Sequence, residues 1–196
     1  MDSSTLLGLY ASGCRDFSHS ELEGVSLKET NLIRSVFYQS NLSKANLSFS
    51  DLRDSNFDQC RLSKARLWRT NFAHTSLANA DLMRAFLIRA NLDASNLSRT
   101  MLSEANLRLA SLRGACLEGA CLTNADLRYA DLSGADLTDA DFRGANLTGA
   151  SLVNACLNRA VWTGALLSHA AIDPEVNADF GESGEIGLHV VNFTGR

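Results

Sequence analysis

The sequence predicts an all-β solenoid: a four-sided parallel β-helix of about eight coils, with a short helical cap at its amino-terminal end. Three observations lead there. From Phe17 to Ile172 every fifth residue is large and apolar, 25 Leu and five Phe with Trp162 and Ile172, and the phase never slips. Two places before each of these centres the side chain is small: Ala at every such position from Ala105 to Ala170, and mostly Ser, Thr, Ala or Cys earlier, with Arg15 and Val25 as exceptions. The simpler elements also fail the period. Five steps of about 100° would smear the leucines around a helix, and an odd spacing would send them to alternate faces of a flat strand.

A path that turns through a quarter circle at each repeat satisfies all three. Every central residue then points at a common axis, the small residue sits at the inward corner where a longer side chain would strike the coils above and below, and twenty residues close one coil. At a coil spacing of about 4.8 Å the thirty-two repeats make a rod on the order of 40 Å long, with backbone hydrogen bonds running between coils. Each buried Leu contributes about 1.5–3 kcal/mol of transfer energy, most of it offset by chain ordering.

The elements follow in order. Residues 1–14 form the cap: Ser3 or Ser4 caps a helix whose Leu6, Leu7, Leu9 and Tyr10 supply an apolar side, and Gly13 ends it. Residues 15–174 form the solenoid. Residues 175–196 depart from the period, and Ile186, Leu188 and Val190 alternate as in a strand. Three roles stay open for this tail: an addition to the last coil, a joint to a second subunit in a homodimer through the carboxyl-terminal end, or partial disorder.

Runs such as ANLSFSDLRDSNF (45–57) and ADLSGADLTDADF (130–142) resemble the pentapeptide-repeat family. The likeness covers residues 15 to 174 and implies a right-handed quadrilateral β-helix. The opening LLGLYASGCRDFSHSELEGVSL further resembles the amino-terminal cap of cyanobacterial members, one of which regulates heterocyst differentiation. The family also implies an activity to weigh, since some members bind DNA gyrase by imitating duplex DNA with an acidic rod.

Composition excludes several function classes. The five cysteines are an odd number without a CxxC pair, which favours free thiols in a reducing compartment over disulfides or zinc. The longest apolar run falls short of a membrane span, and the first residues lack the basic start and apolar centre of a signal peptide, so a cytoplasmic protein is expected. Asp126, Asp131, Asp136 and Asp141 look like a carboxylate cluster, but successive repeats face four directions, so they diverge and solvate the outer surface. The four histidines scatter over three faces and the tail. No phosphate loop, nucleophile elbow or zinc-helix motif is present. The expectation is no enzyme, no cofactor and no metal.

What remains is a binding surface. Residues twenty apart stack in columns, and the four faces carry net charges of about −3, 0, +4 and −2, taken in the order of their first centres Phe17, Leu22, Leu27 and Leu32. The Leu27 face breaks the polar pattern of the others. Its outward columns hold Phe49, Trp68, Phe86, Ile88, Leu109 and Tyr129, interleaved with Arg66, Arg69, Arg89, Arg108 and Arg128. Aromatics with arginine characterise the hot spots of protein interfaces. The expected function is an interaction scaffold or regulator that engages a protein partner through this strip. The net charge of −4 disfavours nucleic acid, and gyrase modulation is the alternative.

Overall fold

The computed structural model describes residues 1–173; the proline that follows and the tail 175–196 lie outside the described residues, and with them the three roles left open for that tail. Parallel bridges join each residue before a centre to the residue twenty further on, as in Asp16 to Val36, Val36 to Asn56 and onward to Cys156. Four such ladders run from Asp16, Glu21, Ser26 and Asn31 to Cys156, Val161, Leu166 and Ala171. The register is therefore set by one number, and the chain has four sides.

Between coils the bonds come in pairs around each rung. Leu127 N–H donates to the Asn146 carbonyl at 2.7 Å, and Asn146 N–H donates back to the Ala125 carbonyl at 2.9 Å. Within a repeat, the corner N–H closes a turn onto the centre, as when Ala130 donates to Leu127 O at 3.0 Å. The second residue after each centre has positive φ, from His19 (56°) to His169 (60°), and most of these residues are not glycine. That is the third position of a type II-like turn, where an L residue costs on the order of 1 kcal/mol that the stacked coils must override.

The centres are buried except Ile172 at the last coil, and so are most corner residues. Phe17, Phe37 and Phe57 stack at 5.4 and 4.7 Å, and Phe142 lies parallel to Trp162 at 4.5 Å. The corner hydroxyls are themselves bonded: Ser50 Oγ donates to Leu27 O at 2.6 Å and Thr70 Oγ1 to Leu47 O at 2.7 Å, each reaching back to the coil before. Cys60 occupies the same kind of corner, and burial pushes its thiol up to about 12, so it stays protonated and inert.

Helix α1 (Ser3–Ala11) sits against the first coil. Its cap is Asp2 rather than Ser3 or Ser4: the Asp2 carboxylate accepts from Thr5 N–H at 2.8 Å, three residues on, the usual reach of an N-cap side chain. The helix ends in a Schellman motif. Gly13, at φ 101°, donates to Tyr10 O, and Cys14 N–H donates to Leu9 O. Only Leu6 of the expected apolar side is buried; Leu7 and Leu9 face outward, and Tyr10 packs partly. A helix this short seals with one residue because polar contacts do the rest. The Met1 ammonium donates to Glu21 O at 2.9 Å and Tyr10 Oη to Ile33 O at 3.2 Å, both on the first coil.

Candidate functional site

The stacking that forms the ladders also places the predicted strip. Arg66, Phe86 and Asn106 are consecutive rungs of one ladder, so the columns beside it are Trp68, Ile88, Arg108 and Arg128 on one line and Phe49, Arg69, Arg89, Leu109 and Tyr129 on the next. Burial follows position within the repeat. The second residue after the centre stands open and the first is half-covered at Ile88, Arg108 and Arg128 but open at Trp68, which leaves Ile88 half-buried among exposed neighbours.

The large side chains in these columns are open to an unusual degree. Trp68 and Phe86 are each 48% exposed and Tyr129 is 62% exposed, while Phe49 and Leu109 are also on the surface. Phe49 and Trp68 meet at 5.6 Å between ring centroids, and the Arg69 guanidinium stands 5.8 Å over the Phe49 ring, near the limit of a cation–π contact. The Tyr129 ring packs against Gly149. A Cβ there would come within 2.6 Å of the ring carbons, so the glycine makes room for the tyrosine. Two shallow depressions result: one of about 290 Å³ at Trp68, Phe86 and Ile88, the other of about 320 Å³ at Ile88, Leu109 and Tyr129.

The arginines divide into two groups. Arg128 holds Asp126 by two hydrogen bonds, at 2.9 and 2.7 Å, and Arg108 Nε lies 3.8 Å from the same carboxylate. Burial pushes the Asp126 carboxyl up, but the Arg128 hydrogen bonds outweigh it and hold the group below the usual carboxylate value. Arg66, Arg69 and Arg89 make no ion pair among the described residues. The free positive charge of the strip therefore lies at its centre, between residues 66 and 89.

The pairing of Arg108 and Arg128 is one correction to the column reading. Another concerns the four aspartates of the outer surface. Asp126, Asp131, Asp136 and Asp141 do diverge, but each accepts the backbone N–H two residues on, at 3.0 to 3.3 Å, and so braces its own turn. Column reasoning also missed two residues. A third depression, of about 530 Å³, joins Arg66 and Phe86 to Lys44 and Lys64 across the corner from the neighbouring face. The signal was present, because Lys64 and Arg66 flank the corner residue Ala65, so their columns are adjacent although assigned to different faces. Helix α1 packs on the end of the rod and leaves the strip uncovered.

The profile of pentapeptide repeats matches eight copies in segments running from residue 20 to residue 171. The chain belongs to the pentapeptide-repeat family. The family and its solved structures carry a right-handed β-helix, which gives the four ladders their hand. A trypsin-treated variant of QnrB1, a plasmid-mediated fluoroquinolone resistance protein, is similar at 21% identity over 85% of this chain and 94% of that one, with a TM-score of 0.61. HetL, a pentapeptide repeat protein involved in heterocyst differentiation regulation from the cyanobacterium Nostoc sp. strain PCC 7120, is 26% identical over 87% of this chain and 94% of its own, with a TM-score of 0.41. No curated protein sequence matches the chain. Within this pentapeptide-repeat rod no group of His, Cys, Asp and Glu among the described residues is placed to hold a metal ion, and no described helix is long and apolar enough to cross a membrane.

Proposed function

We propose that this pentapeptide-repeat protein is a non-catalytic, regulatory interaction scaffold that binds a protein partner through the strip formed by Phe49, Arg66, Trp68, Arg69, Phe86, Ile88, Arg89, Arg108, Leu109, Arg128 and Tyr129. One observation carries the reading: five large apolar side chains stand exposed on one face beside three arginines without ion pairs. Water-exposed aromatics lower stability and solubility unless something covers them, and arginine with Trp or Tyr is the composition of interface hot spots. In this proposal residues 15–174 are a binding rod of eight coils, residues 1–14 its cap and 175–196 a separate tail. The free thiols at Cys14, Cys60, Cys116, Cys121 and Cys156 suit a cytoplasmic setting.

The alternative, modulation of DNA gyrase, needs carboxylates along a face. Here the strip is basic and aromatic, and likeness to QnrB1 at this identity speaks for the fold alone.

The test compares captured proteins from the source cell for wild type and for the double variant Trp68→Ala with Arg89→Glu. Specific partners should disappear from the variant while its melting temperature stays within about 2 °C, since both side chains are exposed. Identical captured sets would remove the strip as the site. A supercoiling assay addresses the alternative: gyrase inhibition or quinolone protection at submicromolar protein would promote it.

A further inference from the structure

The three depressions of the strip are not separate. The basic one shares Arg66 and Phe86 with the first apolar one, which shares Ile88 with the second. They form one shallow groove that climbs from Gly24 to Tyr129 across six coils. Resting on the proposal that the strip binds a protein, we infer that its occupant is an extended acidic segment carrying two bulky apolar side chains, laid along the rod axis.

Spacing and charge argue for that chemistry. The two apolar depressions are centred between one and two coils apart, or about 5–10 Å. Extended chain rises about 3.3 Å per residue, so side chains that share a face, two apart on a strand or three apart in polyproline II, fall within that interval. A helix lying in the groove is a poor fit, because a cylinder about 10 Å across needs walls, and the depressions are shallow on a nearly flat face. The ladders are fully paired between coils on this face, from Ser26 to Leu166, so a strand cannot add to an open edge and side chains must supply the affinity. The cations decide the rest. Lys64 and Arg66 stand at one end of the groove, and Arg69 and Arg89 flank its first depression; none is ion-paired among the described residues. Carboxylates placed before and between the apolar side chains meet these groups, whereas the Asp126 end already balances Arg128 and calls for no further acid.

The experiment uses the full chain and short fluorescent peptides followed by anisotropy. The probe is rich in Glu and carries Phe and Leu two residues apart. One control replaces Glu by Lys, another replaces Phe and Leu by Ala, and a single-stranded oligonucleotide serves as a third ligand. The acidic apolar peptide should bind, weaken as salt rises, and lose about tenfold or more in affinity on Trp68→Ala and again on Arg89→Glu. Arg159→Ala, on the opposite face of the rod and paired with Asp139, should change it little. Equal binding of the Lys control, or tighter strip-dependent binding of the oligonucleotide, would overturn the inference. So would a homodimer that dissociates on Trp68→Ala, or peptide binding that appears only after Glu182→Gln with Glu185→Gln, which would give the groove to the chain's own tail. Each of those outcomes leaves the cellular capture experiment to judge the strip separately.

Discussion

Between residues 17 and 96 the inward corner of the rod carries chiefly hydroxyls, with one thiol; from Ala105 onward it carries only methyl groups. The backbone is indifferent to the change, since the same bridges and the same inter-coil bonds continue through both halves. In the first half the corner oxygen is a staple. Ser40, Ser50 and Ser55 each accept an N–H from the first coil, at Ser20, Thr30 and Ser35, and each donates to a carbonyl there. In the second half the corner alanine satisfies sterics alone and leaves no polar side chain to be paired. One fold thus accepts two chemistries at one position, and what it requires is small volume. At these three corners the N–H reaches forward to the hydroxyl of the next coil, where the corner N–H of other repeats closes the turn onto its own centre.

If the halves differ only at the corner, their shared apolar ladder must be equally intolerant. Leu47→Asp and Leu127→Asp should each cost about 4 kcal/mol or prevent folding, as an unpaired carboxylate buried between stacked leucines would. By contrast, Asp126→Ala should cost about 1 kcal/mol, because a turn loses its side-chain acceptor. Denaturant titration of the three variants checks this, and unequal costs for the two leucines would break the symmetry of the ladder.

The next effect separates the halves. Ser50→Ala leaves Thr30 N–H without its acceptor and should cost about 1–3 kcal/mol, whereas Ala130→Ser, at the corner four coils on, should gain at most about 1 kcal/mol. Equal shifts in melting temperature for the two would deny the staple.

Acid sharpens the comparison at a feature both halves possess. Asp51 with Arg53 and Asp141 with Arg143 make the same two-residue ion pair, and the arginine hydrogen bond is the main cause that holds each carboxyl below the usual value. A carboxylate depressed in the folded state stabilises the protein above its unfolded value, and that contribution is lost as pH falls through the folded one. Carboxyl titration by NMR should therefore place both aspartates below about 3.9, the ordinary value. Arg53→Ala and Arg143→Ala should each raise the partner and move acid unfolding to higher pH. The smallest effect belongs to Ser35, whose buried hydroxyl has no partner among the described residues. Ser35→Ala should be neutral or stabilise by about 1 kcal/mol, in contrast to Ser50.

The ladder, the corner and the columns were legible in the sequence, because a strict period converts residue number directly into direction. What stayed hidden was pairwise. Nothing in the spelling distinguishes an aspartate that faces water from one that braces its turn, since Asp131 does both. Nor does a column reveal that Arg128 is neutralised by Asp126 while Arg89 is not, for that depends on which residue precedes the centre in the same coil. Asp2 displaced the two serines as helix cap for a similar reason, because a cap is chosen by where the helix must begin against Glu21 and Ile33. The contribution of Lys64 was lost to a convention, the assignment of each residue to one face, at a corner where two faces meet.

The twenty-residue register has a genetic consequence. A deletion or duplication of one whole coil, such as residues 97–116, returns every later side chain to its former azimuth and changes only the length of the rod. A deletion of five residues keeps the period and the core equally intact, yet it rotates all that follows by a quarter turn. Placed between Arg89 and Leu109, it would swing Tyr129 onto the adjoining side and cut the groove in two while the protein folds as before. Mutational drift in such a gene is thus quantised: gains and losses in fives are permitted by the fold, but only those in twenties preserve a binding surface that spans several coils.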